Sequence, residues 1–236
     1  MVSPADLPHV RPVKPLLFPA SDPEWEMGQS VMHKLLCDLL YHVLRGAVGD
    51  EHTVGCDNFV YFRTTDPSRK CAPDAFVKLD VKHGFFDSWK IWERHRGTPE
   101  LCVEILSPSD TKEKLTWEEK IERYLDLGTP ELIAFNVDAP LGHRLRAWDR
   151  IDDDLVERVV EGERTPCITL GLHWVIVAST APSGEELPAA LRLARDPFGA
   201  DVIATISEAD RAVASARATA ADAEIARLRA LLGSSG

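Results

Sequence analysis

Apolar residues recur along this chain in two rhythms, helical spacing and short unbroken runs. Val31, Leu35, Leu36, Leu39, Leu40, Val43 and Leu44 repeat at helical spacing. That pattern predicts a helix opening at about Trp25 or Ser30 and closing at Leu44, with Gly46 placed to end it. Short apolar runs follow at 58–62 and 75–81, and both read as strands. The clearest stretch lies in the middle. The run Leu101-Cys102-Val103-Glu104-Ile105-Leu106 reads as a buried strand, and a polar link leads from Ser107 to Leu115. Thr116 and Glu119 form a capping box that starts a helix over 117–127, and Gly128 is placed to stop it. A second buried strand spans 132–137. Strand, helix and strand together predict a parallel pair joined by a right-handed crossover.

Further on, 144–148 and 155–160 flank an acidic stretch and read as an antiparallel hairpin. Another strand is expected at 173–177. Residues 83–99 mix Phe85, Phe86, Trp89 and Trp92 with basic residues. They read either as a short helix or as a large loop held to the core by its aromatics. Such a mixture can also stack bases and touch phosphates. The ends differ from the middle. Residues 1–23 carry six prolines and read as an extended arm. Residues 196–236 turn Ala-rich, and 207–232 within them predict a long exposed helix suited to self-association. The expected division is therefore an arm at 1–23, an α/β domain with a mixed sheet at 24–195, and a helical tail at 196–236.

Composition changes this picture little. A chain of 236 residues that is 44% hydrophobic can bury a full core. The start lacks a basic region and an apolar stretch, so no signal peptide is expected. No run approaches the ~20 apolar residues of a membrane span. The five cysteines are odd in number and widely spaced, which suits a reducing cytoplasm and gives no zinc-ligand spacing. Cys37 and Cys102 sit in apolar runs and read as packing residues. The net charge of −11 argues at first against a nucleic-acid partner. Its distribution softens that objection. From Arg63 to Lys120 there are 11 Lys and Arg against 11 Asp and Glu, so the excess of acid lies elsewhere.

Two charges sit where charge does not belong. Glu104 interrupts a buried strand, and burying an ionised carboxylate costs several kcal/mol unless something pairs with it. At 100° per residue Lys120 shares its arc with Trp117, Ile121, Tyr124, Leu125 and Leu127, while Glu119, Glu122, Arg123 and Asp126 face away. Asp74 follows Pro73 at the start of another apolar segment. Two strand acids and an inward lysine suit metal-dependent phosphodiester hydrolysis. Asp74, Glu104 and the backbone carbonyl of Ile105 would hold Mg2+ or Mn2+, and Lys120 would orient the water or stabilise developing charge. The blander readings are that Asp74 caps a turn and that Glu104 and Lys120 form a structural ion pair. Tyr124 reads as a packing residue that orients Lys120. Ser107 either caps the helix or supports Glu104. His33 reads as core or surface, and Lys112 and Lys114 as solvated.

Pro73-Asp74, then Val103-Glu104-Ile105-Leu106-Ser107-Pro108-Ser109, then Lys120-x-x-x-Tyr124-x-x-x-Gly128 resembles the Uma-two family of restriction endonucleases, within the PD-(D/E)XK nuclease superfamily. The resemblance covers roughly residues 25–195. It implies a restriction-endonuclease-like fold, DNA hydrolysis to a 5′-phosphate and a 3′-hydroxyl, a metal-dependent centre and a homodimer. Asp74 and Glu104 map to the two acids. Leu106 stands at the usual lysine position, and Lys120 takes that place from the helix. Thr116 stands where family members often carry an acid. An acid from the first helix often joins such sites, which points to Glu26 or Glu24. A second expectation stands beside this one: a catalytically inactive nuclease fold that serves as a binding or assembly module.

Overall fold

A computed structural model of the chain describes residues 30–106 and 115–233. The 1–23 arm, Glu24, Glu26, Ser107, Lys112 and Lys114 lie outside them. Helix α1 runs Val31–Val48, and the Ser30 side chain accepts the His33 N–H at 3.1 Å. Its buried face is His33, Leu36, Cys37, Leu39, Leu40, Val43 and Leu44. Gly46 does not end it. A Cβ at position 46 would stand 2.7 Å from the Ala204 carbonyl oxygen, so this glycine permits close packing inside the helix. Gly49 ends α1 instead, with φ 66° and its N–H bonded to the Arg45 carbonyl.

The main sheet has six strands in the order β1 (Thr53–Gly55), β4 (Ala75–Lys78), β6 (Leu101–Leu106), β7 (Glu131–Asn136), β8 (Leu145–Ile151) and β9 (Asp154–Arg158). β6 and β7 are parallel, and the other pairs are antiparallel. Helix α2, Trp117–Leu127, connects β6 to β7 and carries the expected capping box. Gly128 stops it at φ 86°, donating to the Tyr124 and Leu125 carbonyls. The β8–β9 hairpin is tighter than the acidic stretch suggested. Ile151 pairs with Asp154, leaving Asp152 and Asp153 as the turn.

A second sheet joins β2 (Val60–Tyr61), β3 (Lys70–Cys71) and β5 (Trp89–Lys90). Residues 83–99 are thus a loop with one short strand, not a helix. Trp89 anchors it: buried, 5.5 Å from the Phe76 ring and 5.2 Å from Phe86, with its indole N–H on the Gly97 carbonyl at 2.8 Å. A third sheet joins β10 (Arg164–Cys167), β11 (Leu172–Thr180) and β12 (Glu186–Ala194). Helix α3, Ile206–Gly233, follows a capping box of Thr205 and Glu208, and Arg192 ties it to β12 through Glu208 at 2.7 Å.

The six-stranded sheet has a core on each face. Ala75, Val77, Leu101, Val103 and Ile105 pack with the α1 residues. Phe76, Cys102, Leu132, Ala134 and Trp148 pack with Tyr124 and Leu127 of α2. Burying each large apolar side chain contributes about 1.5–3 kcal/mol. The alternation has a further consequence: on β6, Glu104 belongs to the α2 face.

Candidate active site

β4 and β6 pair so that Ala75 faces Val103. The same register carried one residue further sets Asp74 opposite Glu104. Both are buried, at 6% and 5% exposure. Glu104 Oε2 accepts from Lys120 Nζ at 3.0 Å, and Glu104 Oε1 accepts from the Tyr124 hydroxyl. Lys120 and Tyr124 are four residues apart on α2, which stacks them on one face. Asp74 has partners of its own. Its Oδ2 accepts the Ile105 N–H at 2.6 Å, and its Oδ1 lies 3.1 Å from His33 Nε2. A strand residue presents its N–H and C=O at the same edge. The Ile105 carbonyl therefore shares with Asp74 the edge that β4 leaves open by starting only at Ala75.

The electrostatics follow from burial. Loss of solvent pushes the Glu104 carboxyl up to about 7; the Lys120 charge opposes that rise and the Asp74 charge adds to it. Burial, and then the Glu104 charge, holds the Tyr124 phenol well above its ordinary range, so it stays a donor. A further acid joins from the turn after β1. Asp57 has φ 52°, and the Asp74 charge acts on it. Its residue surface is exposed, yet its carboxyl is crowded. Desolvation and then Asp74 push it up to about 6, with His33 acting in the opposite sense.

Among the expected residues, Glu104, Lys120 and Tyr124 meet in one hydrogen-bonded group, with Asp74 and Ile105 beside it. Ser107 and Glu26 fall outside the described residues. Sequence reasoning passed over Asp57, and it read His33 and Cys37 as no more than core or surface residues. The available signal was the i, i+4 spacing of His33 and Cys37 on one helix face. Asp57 gave none, because its role depends on a turn that brings it to Asp74.

Residues 25–176 match the model of the Uma2 family, "Putative restriction endonuclease". The chain belongs to the Uma2 family. The Uma2 match takes in α1, both acid-bearing strand ends and α2, and it stops within β11. The α/β fold, a mixed sheet flanked by helices, is the restriction-endonuclease-like arrangement expected for Uma2. A crystal structure of a putative nuclease belonging to DUF820 from Anabaena variabilis ATCC 29413 is similar at 14% identity. It covers 61% of this chain and 76% of its own, with a TM-score of 0.43. No curated protein matches the chain.

Proposed function

We propose that this Uma2 protein is a magnesium-dependent endonuclease that hydrolyses DNA phosphodiester bonds, with manganese able to replace magnesium. The observation that carries the reading is the Lys120 ammonium lying 3.0 Å from a buried Glu104 that faces a second acid. A buried carboxylate raised toward neutrality by its surroundings gains from an added cation. Asp74, Glu104 and the Ile105 carbonyl supply the oxygen donors that magnesium requires. When bound, the ion would polarise the phosphate and lower the pKa of a water. Lys120 orients that water or meets the charge that develops on the phosphate. Tyr124 fixes the Glu104 rotamer through its phenol. DNA as substrate, a homodimer and a role for α3 in self-association belong to the same reading; the exposed face of α3 supports the last of these.

The test is cleavage of supercoiled DNA in magnesium by the wild type and by Asp74→Ala, Glu104→Ala and Lys120→Ala. Each variant is expected to lose activity by at least about 10²–10³-fold while remaining folded. One observation favours a second reading, a binding module with a structural ion pair: Lys120 and Tyr124 between them bond both Glu104 oxygens. An inactive wild type whose Lys120→Ala variant unfolds readily would establish that reading instead.

A further inference from the structure

Asp74 also meets a second cluster of donors. His33 and Cys37, four residues apart on α1, project from one face, and Asp74 meets them from the strand end. One ligand atom from each of the three lies within 4.8 Å of the others, and all three residues are buried. Cys56 and Asp57, on the turn after β1, act electrostatically on Cys37, and Asp57 feels the Asp74 charge. Two thiols, an imidazole and two carboxylates thus gather where an apolar helix face meets the sheet.

We infer that His33, Cys37 and Asp74 form a binding site for a soft divalent transition metal of the zinc class. The donor set decides the class. Magnesium and calcium take oxygen ligands, whereas a thiolate and an imidazole select zinc, cobalt or a similar ion. Three protein ligands leave a fourth tetrahedral position for a water. Burial, and then the Asp74 charge, keeps the Cys37 thiol protonated in the metal-free protein. Its proton leaves to solvent as the metal–sulfur bond forms. Occupation would also compete for Asp74 with the magnesium centre. That consequence rests on the nuclease reading, whereas the binding itself does not.

The experiment is titration of the full-length reduced protein with Co2+ alone, followed by absorption. The expected result is saturable binding with a thiolate-to-cobalt charge-transfer band. Cys37→Ser is expected to lose the band and His33→Gln to lose detectable binding. Cys56→Ser and Lys120→Ala are expected to keep both. Survival of the band in Cys37→Ser, or its absence from the wild type, would overturn the site. Because Cys37 lies in the core, zinc-edge X-ray absorption of the loaded wild type gives a reading that needs no variant. One sulfur at about 2.3 Å with nitrogen and oxygen at about 2.0–2.1 Å is expected, and an all-oxygen shell would overturn the proposal. Loss of cleavage in Lys120→Ala with cobalt binding intact separates this inference from the nuclease reading.

Discussion

Two neighbouring strands each bury a glutamate, and their surroundings differ. Glu131 opens β7 at 2% exposure. Arg158 donates to it at 3.0 Å, and the backbone N–H groups of Ile168 and Thr169 donate at 3.1 and 2.9 Å. Arg158 also binds Asp149, so the cation is shared within a closed network. Glu104, near the end of β6, is met by one phenol and one ammonium, and a second acid stands opposite. No backbone N–H among the described residues donates to it. Burial of an acid therefore does not mark a site by itself. A buried acid with fixed backbone donors and a shared arginine has its oxygens filled by the fold itself. A buried acid with few donors and an acidic neighbour is the one for which an added cation would matter, as the nuclease reading expects.

The largest expected effect is on the closed network. Glu131→Ala should cost about 3–5 kcal/mol of stability, because it leaves Arg158 short of its partner. Denaturant unfolding measures this, and cleavage per folded molecule should not change. Equal losses of stability from Glu131→Ala and Glu104→Gln would erase the distinction between the two acids.

The next effect is pH dependence. Glu104 has a folded pKa of about 7, above the ordinary value of 4.5. Between those values the folded state holds a proton that the unfolded state has released. Stability therefore falls as pH rises from about 4.5 to about 7, by an amount on the order of a few kcal/mol. Glu104→Gln should flatten that slope, and an unchanged slope would remove Glu104 as its source. Tyr124→Phe comes next, with a cost of about 1.5–3 kcal/mol for a lost bond to a charged acceptor. Loss of that donor also raises the Glu104 pKa further and moves the cleavage profile to higher pH. The smallest effect is Thr116→Ala, which removes the α2 cap at a cost of about 1 kcal/mol and leaves the cleavage rate of folded protein unaltered.

The β6–α2–β7 unit was legible because its signals are long and consistent: two mostly apolar runs, a capping box and a terminal glycine. The short strands β1, β3, β5 and β10 were not, since two to four residues carry no period and their pairing partners decide their form. β12 was hidden differently. Its Leu and Ala residues carry no strand signal, and Pro188 sits beside the register shift between Val177 and Ser179, where a missing N–H is tolerated. Within the site, Glu104 and Lys120 stood out because each puts a charge where the local pattern calls for apolar residues. His33 and Cys37 fit the buried face of α1, so beyond their i, i+4 spacing it is the path of the chain at Asp74 that reveals their polar company.

The most direct measurement is thermal unfolding of the wild type, Glu104→Gln and Glu131→Gln across a magnesium titration, since an ion bound only by the folded state raises the midpoint. The wild type and Glu131→Gln should gain stability with added magnesium, and Glu104→Gln should not. A wild type whose midpoint ignores magnesium, or a Glu104→Gln variant that gains as much as the wild type, would contradict the account.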